Sequence, residues 1–183
     1  MKKVLLSFVL LIVFISNAFG NTEVINALKE GGKLVFIRHA YAPGGGDPEN
    51  FNVNDCSTQR NLNSAGIEQA KQIGKIFKDN NIPIDQVLSS EWCRCKDTAK
   101  NAFGEFKTFN ALNSFFSSKF AKNRDQQMKD LKLFVKNWNG KENIIFVTHY
   151  VVIGEALNTN VSSGEIAVTD KSFNLIGTIE TKY

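Results

Sequence analysis

Short apolar runs alternate with stretches of helical periodicity along this chain. Residues 33–37 (KLVFI) form an apolar burst after Gly31-Gly32. A second burst covers 86–88 and continues into Ser89, and a third, IIFV, covers 144–147. Short runs without polar alternation fit strands covered on both faces of a parallel sheet. Residues 166–169 and 175–181 read as later strands, antiparallel at an edge. Between these runs the period changes to that of a helix. Asn63 can cap a helix running to Asp79, with Ile67, Ala70, Ile73, Ile76 and Phe77 on one face and Asn80-Asn81-Ile82-Pro83 as its stop. Residues 91–103 read as a second helix ended by Gly104. Residues 124–138 read as a third, with Leu131, Phe134, Val135 and Trp138 inward and Asn139-Gly140 as the stop. This order of elements predicts a three-layer α/β/α sandwich on a mainly parallel central sheet.

The first 20 residues stand apart. Lys2 and Lys3 precede an apolar run over 4–16, and Ala18-Phe19-Gly20 supplies small residues for a peptidase. That is the pattern of a secretory signal peptide cleaved after Gly20, and the run is short for a transmembrane span. The expected organisation is a signal peptide over 1–20 and one domain over 21–183, in the periplasm or secreted, touching a membrane only during export. A domain of this length buries its own core. Without Lys2 and Lys3 the formal net charge drops from +4 to +2. No run of Lys or Arg suggests nucleic acid as a partner. Three cysteines, Cys56, Cys93 and Cys95, are too few for zinc at their spacing, with only two histidines present. In an exported chain one bridge plus one thiol is the natural arithmetic. Cys93 and Cys95 sit too close for an easy mutual bridge, so Cys56 is expected to pair with one of them; three buried thiols are the alternative.

Both histidines follow apolar strand patterns directly: KLVFI-Arg38-His39 and NIIFV-Thr148-His149. Strands pointing the same way bring both imidazoles to one rim, beyond the carboxyl ends where sites on such sheets gather. Arg94, in the first turn of the helix after the second strand, can reach back over that rim. Two guanidinium groups match the peripheral oxygens of a phosphoryl group. A neutral imidazole is a competent nucleophile near neutral pH. Attack on phosphorus would give a phosphohistidine that water then clears.

Four segments carry a family resemblance. FIRHA (36–40) looks like the RHG signature of the histidine phosphatase superfamily, RNLNSAGIEQA (60–70) its R-P-L-T-x-x-G-x-x-Q-A helix start, and SSEWCRCKDTA (89–99) its S-S-x-x-x-R-x-x-x-T-A element. VTH (147–149) resembles its late strand ending in the second His. The resemblance implies a phosphoglycerate mutase-like fold with no metal and no cofactor. It makes His39 the phosphorylated nucleophile. Arg38, Arg94 and His149 grip the phosphoryl oxygens, and Arg60 is a binding residue at the pocket edge.

The chain departs from the family pattern in three places. Ala40 replaces the usual Gly, which is tolerable at negative φ. Tyr150 follows the second His where phytase-like members carry an acid, and this argues for the smaller mutase-like and phosphohistidine-phosphatase-like branch. That branch often has a Glu after an L-x-E stretch, where this chain reads Leu112-Asn113-Ser114-Phe115. A leaving alkoxide needs a proton, so another carboxyl must be sought. Asp47, close after His39, is the first candidate and Glu165 the second. Gly44-Gly45-Gly46 lacks the Gly-Lys-Ser/Thr of a phosphate-cradling loop and reads as a flexible rim. The cluster Phe115, Phe116 and Phe120 reads as core rather than substrate mouth.

The function expected from these residues is hydrolysis of a phosphomonoester on a small molecule or a surface. Sugar phosphates, lipopolysaccharide phosphates and phosphoproteins all remain open as substrates. A non-catalytic phosphate-binding module of the same fold is the rival reading. An intramolecular mutase fits poorly with export.

Overall fold

The computed structural model describes residues 21–183. The expected signal peptide, 1–20, lies outside the described residues. Residues 21–30 are helical (α1). There follow β1 (Leu34–Arg38), α2 (Ser64–Asp79), β2 (Ile84–Ser89), α3 (Cys93–Phe103), β3 (Lys107–Thr108), the single turn α4 (Ser118–Ala121) and α5 (Arg124–Asn137). β4 (Asn143–Thr148), α6 (Tyr150–Leu157), β5 (Ile166–Thr169) and β6 (Leu175–Ile179) complete the chain.

The six strands form one sheet in the order β3-β2-β4-β1-β5-β6. β3, β2, β4 and β1 run parallel; β5 pairs antiparallel with β1, and β6 antiparallel with β5. β1 and β4 are neighbours in register, with Leu34 opposite Ile144 and Arg38 opposite Thr148. Strand side chains alternate between faces, and that alternation splits the core in two. Val35, Ile37, Ile145, Val147, Ile166 and Val168 pack with α1, α2 and α3 through residues such as Leu28, Ile73, Phe77 and Ala99. Leu34, Phe36, Ile144, Phe146 and Ala167 pack with α5 and α6 through Leu131, Val135, Val152 and Ile153. This double coverage is why β1 and β4 carry unbroken apolar runs. Each fully buried Phe, Leu or Ile contributes about 2 kcal/mol.

Local chemistry sets the element ends. The Asn63 side chain accepts from Gly66 N and starts α2. Gly66 also lies against the chain after β1: a Cβ there would sit 2.0 Å from the Tyr41 carbonyl oxygen. Buried Asn143 accepts from Lys33 N at 3.1 Å and donates to the Leu28 and Pro83 carbonyls, each at 2.7 Å. It thereby pins the entrances of β1, β2 and β4. Cys56 and Cys93 form a disulfide across 37 residues, and Cys95 is free and buried.

Four outcomes differ from the sequence pattern. The second helix starts at Cys93 rather than residue 91, because Ser90 to Trp92 form the turn off β2. α1, α4, α6 and β3 are additional elements. β5 is interior, and only β6 is the antiparallel edge. The aromatic cluster divides: Phe115 packs on the core, Phe120 packs on Phe51 and Trp92, and Phe116 is 60% exposed.

Candidate active site

Both histidines sit one residue beyond paired strand ends. His39 N donates to the Thr148 carbonyl at 2.9 Å, extending the β1–β4 ladder by one bond. The two imidazoles are 5.5 Å apart, centre to centre, edge to face, and both are buried. They line the floor of a cleft of about 720 Å³, together with Arg38, Arg60 and Arg94. Its walls include Gly44 to Gly46, Asp47, Trp92, Ser114, Phe116, Tyr150 and Tyr183. Three of the exposed large apolar side chains, Phe116, Tyr150 and Tyr183, stand at this one mouth.

The tautomer of His39 follows from its partners. Nδ1 lies 2.8 Å from the Ala40 carbonyl oxygen, which can only accept. Nε2 receives the Arg94 Nε–H at 3.2 Å, which can only donate. His39 therefore carries its proton on Nδ1 and presents the Nε2 lone pair, the state a nucleophile requires. Burial pushes its pKa well below the usual histidine value, and the charge of Arg94 adds to this. Ala40, fully buried, has no positive φ and donates its N–H to Thr98 Oγ1 at 2.9 Å, so the methyl group sits without backbone strain.

The arginines are held in different ways. Arg38 donates Nη1 to the Val161 carbonyl at 2.9 Å, lies over the Tyr150 ring, and keeps a buried Nε without a hydrogen-bond partner among the described residues. A buried donor left unpaired in a cleft-lining cation is a feature anion sites share. Arg94, 4% exposed, makes a two-pronged pair with Asp47, Nη1 to Oδ1 at 2.6 Å and Nη2 to Oδ2 at 3.2 Å. Arg60 donates to the Gly46 carbonyl at 3.1 Å and to the Ala42 carbonyl, clasping the glycine rim. Gly44 and Gly46 take positive φ of 89° and 74°, which glycine adopts without steric cost. The triplet is thus a shaped rim tied to Arg60.

The two carboxyl candidates for proton donation are committed elsewhere. Asp47 accepts from Arg94 twice, from the Trp92 indole at 3.1 Å and from Arg60 N at 3.2 Å. Burial alone would raise its pKa, but the hydrogen bonds and charge of Arg94 outweigh it and hold the carboxyl below its ordinary value. A group so anchored is a carboxylate that aims Arg94. Glu165, 8% exposed, accepts from Ser162 N at 2.7 Å within its own turn and does not line the cleft. Ser162 and Ser163 of that turn do line it.

Several residues here were not read from the sequence as parts of the site. Ser90 Oγ and Cys95 Sγ approach His149 Nε2 at 2.9 and 3.4 Å. Trp92 stands edge-on to the His149 ring. Ser90 and Cys95 lie inside the SSEWCRC segment, but their service to His149 depends on β2 and β4 being neighbours. Asn113, which bonds Ser90, comes from the turn after β3, and no local pattern marks it. Cys93, bridged to Cys56, sits next to Arg94 and ties the loop carrying Arg60 to the start of α3. Among the described residues no group of three or more His, Cys, Asp or Glu could hold a metal ion.

Residues 34–115 match the family model of the histidine phosphatase superfamily, branch 1. No curated protein matches the chain in sequence. The protein histidine phosphatase SixA, solved with tungstate, is 14% identical with a TM-score of 0.57, covering 82% of this chain and 96% of its own. A phosphoserine phosphatase from Entamoeba histolytica, solved with phosphoserine, is 17% identical at a TM-score of 0.55, covering 74% of this chain and 89% of its own. Phosphoglycerate mutase from Thermus thermophilus is 13% identical at a TM-score of 0.55, covering 82% of this chain and 98% of its own. The six-stranded, mostly parallel sheet flanked by helices is therefore phosphoglycerate mutase-like. The sequence over residues 34–115 is thus similar to the histidine phosphatase superfamily, and the fold shared across most of the chain is phosphoglycerate mutase-like.

Proposed function

We propose that this chain is an exported phosphatase that hydrolyses phosphomonoesters through a phosphohistidine on His39. The observation that carries the reading is the state of His39: a neutral ring with its Nε2 lone pair turned toward Arg94, 5.5 Å from a second imidazole in a cationic cleft. In the first step Nε2 attacks phosphorus in line and the P–O bond to the leaving group breaks. Arg38, Arg94 and His149 balance charge on the phosphoryl oxygens, Arg60 shapes the rim, and the leaving oxygen takes up a proton. In the second step water attacks phosphorus, the N–P bond breaks, and inorganic phosphate departs. Such chemistry depends on positioning and charge more than on elaborate covalent machinery.

Brief incubation with a labelled phosphomonoester tests this. Acid-labile label should appear on the protein and be absent from His39→Ala. The commitment of Asp47 and Glu165 to other partners favours one rival, a phosphate-binding module without turnover. Ligand binding with neither label nor phosphate release would establish that rival. Phosphate release without isomer exchange would separate hydrolysis from mutase activity.

A further inference from the structure

With Asp47 and Glu165 accounted for, the leaving oxygen still needs a proton, and a second hydrogen-bond chain leads to it. The chain runs from the Glu91 carboxylate through Asn113 and Ser90 to His149, and its polarity is fixed at each link. Glu91 N–H donates to Asn113 Oδ1 at 2.8 Å, and a backbone N–H can only donate. The Asn113 amide is thus oriented with Nδ2 donating to Glu91 Oε2 at 2.5 Å. Ser90 Oγ donates to Asn113 Oδ1 at 3.1 Å and accepts from the Trp92 N–H at 3.3 Å. Having donated, Ser90 can only accept from His149 Nε2 at 2.9 Å. Cys95 Sγ, 3.6 Å from the Thr148 carbonyl, points its own proton there and offers sulfur lone pairs to Nε2. His149 therefore carries its proton on Nε2, the opposite of His39. Nδ1 is the nitrogen left for the cleft, and in the neutral ring it is a bare lone pair that would repel a phosphoryl oxygen.

We propose that Ser90, Asn113 and Glu91 lock this tautomer, so that His149 grips a phosphoryl group only by taking a second proton on Nδ1, and that this proton goes to the leaving oxygen. The inference rests on the phosphatase reading above. Protons and electron pairs balance over both steps. As His39 Nε2 bonds to phosphorus and the P–O bond breaks, the leaving oxygen takes the Nδ1 proton and His149 becomes neutral. As water attacks and the N–P bond breaks, the water proton returns to Nδ1. Charged or titratable groups face His149 from every side: Arg94 and Cys95 from α3, His39 and Arg38 from the end of β1, Arg60 from the loop and Tyr150 from α6, with Glu91 at the far end of the chain. Burial, then Arg94, pulls the His149 pKa well below the usual value within the pocket. A doubly negative oxyanion between the rings reverses that balance.

Titration calorimetry of tungstate binding, in buffers of different ionisation enthalpy at one pH, reads the proton directly. The wild type should take up about one proton per tungstate bound. Ring 15N spectra, simple in a chain with two histidines, should show His149 doubly protonated in the bound state. Asn113→Leu and Ser90→Ala release Nε2, permit the other tautomer, and should bind tungstate with uptake falling toward zero. Ser90→Thr, which keeps the hydroxyl, should retain it. With turnover, Asn113→Leu should lose kcat on glycerol phosphate far more than on acetyl phosphate, whose leaving group needs little protonation. Tungstate binding without uptake, uptake on His39 alone, or uptake unchanged in both variants would overturn the inference while sparing the oxyanion site. Failure of tungstate to bind would overturn that site and the inference with it.

Discussion

Arg94 would be a poor tool if it were merely buried. A guanidinium with one partner on His39 and none elsewhere would swing, and Asp47 prevents this by taking both terminal nitrogens. Removing one partner of a buried pair strands the other's charge, so Asp47→Asn should destabilise the fold by about 3 kcal/mol in urea unfolding. It should lower kcat/KM by about 100-fold through misplacement of Arg94. The loss should be equal for good and poor leaving groups; a loss confined to poor ones would make Asp47 the proton donor after all. The pH dependence has a definite sign. The native carboxyl titrates below its unfolded value of about 3.9, so its stabilisation is present above that pH and fades as pH falls through the depressed native value. Wild type and Asp47→Asn should therefore converge in stability in strong acid. At this scale the sequence disclosed His39, His149 and Arg94, because strand ends and a first helical turn are local features. The task of Asp47 was hidden, because its partners come from α3 and from the residue before it, Trp92, and only the folded loop joins them.

Among the elements, the strands were the most readable. β1 and β4 are apolar on both faces and β2 over Val87 and Leu88, and the pattern located each strand to within one or two residues. α2 was readable through its cap and its Ala70, Ile73 and Phe77 stripe. α6 was not, since YVVIGEAL resumes the apolar text of β4 after only Thr148 and His149, too short an interval to mark the change of period. α1 lies next to the leader-like segment, and its two core anchors, Val24 and Leu28, are too few to declare a helix. The join between these elements is polar. Asn143 serves Lys33, Leu28 and Pro83 at once, so Asn143→Leu leaves buried backbone groups unpaired. It should cost about 2–3 kcal/mol, seen as a lower urea midpoint at unchanged slope. Because it lies at the opposite end of β4 from His149, tungstate affinity should not change.

For the whole molecule, a bridge across 37 residues constrains the unfolded chain by about 4 kcal/mol. Reduction should lower Tm by about 10 °C at this size, and Cys56→Ser should reproduce the shift. Such bridges persist in oxidising compartments, which supports the proposal of export. Expressed with its own leader, the protein should be recovered with the bridge formed and Asn21 at its amino terminus; retention of residues 1–20 would refute cleavage. The placement of the two imidazoles has a broader consequence. They extend adjacent parallel strands whose separation, about 4.8 Å, is a property of every sheet ladder. The width of the anion seat is therefore a lattice constant of the fold, immune to drift in the surrounding turns. The turns that supply Phe116 and the glycine rim, and the stretch after β6 that supplies Tyr183, can be rewritten around that seat while the spacing of the two rings stays the same.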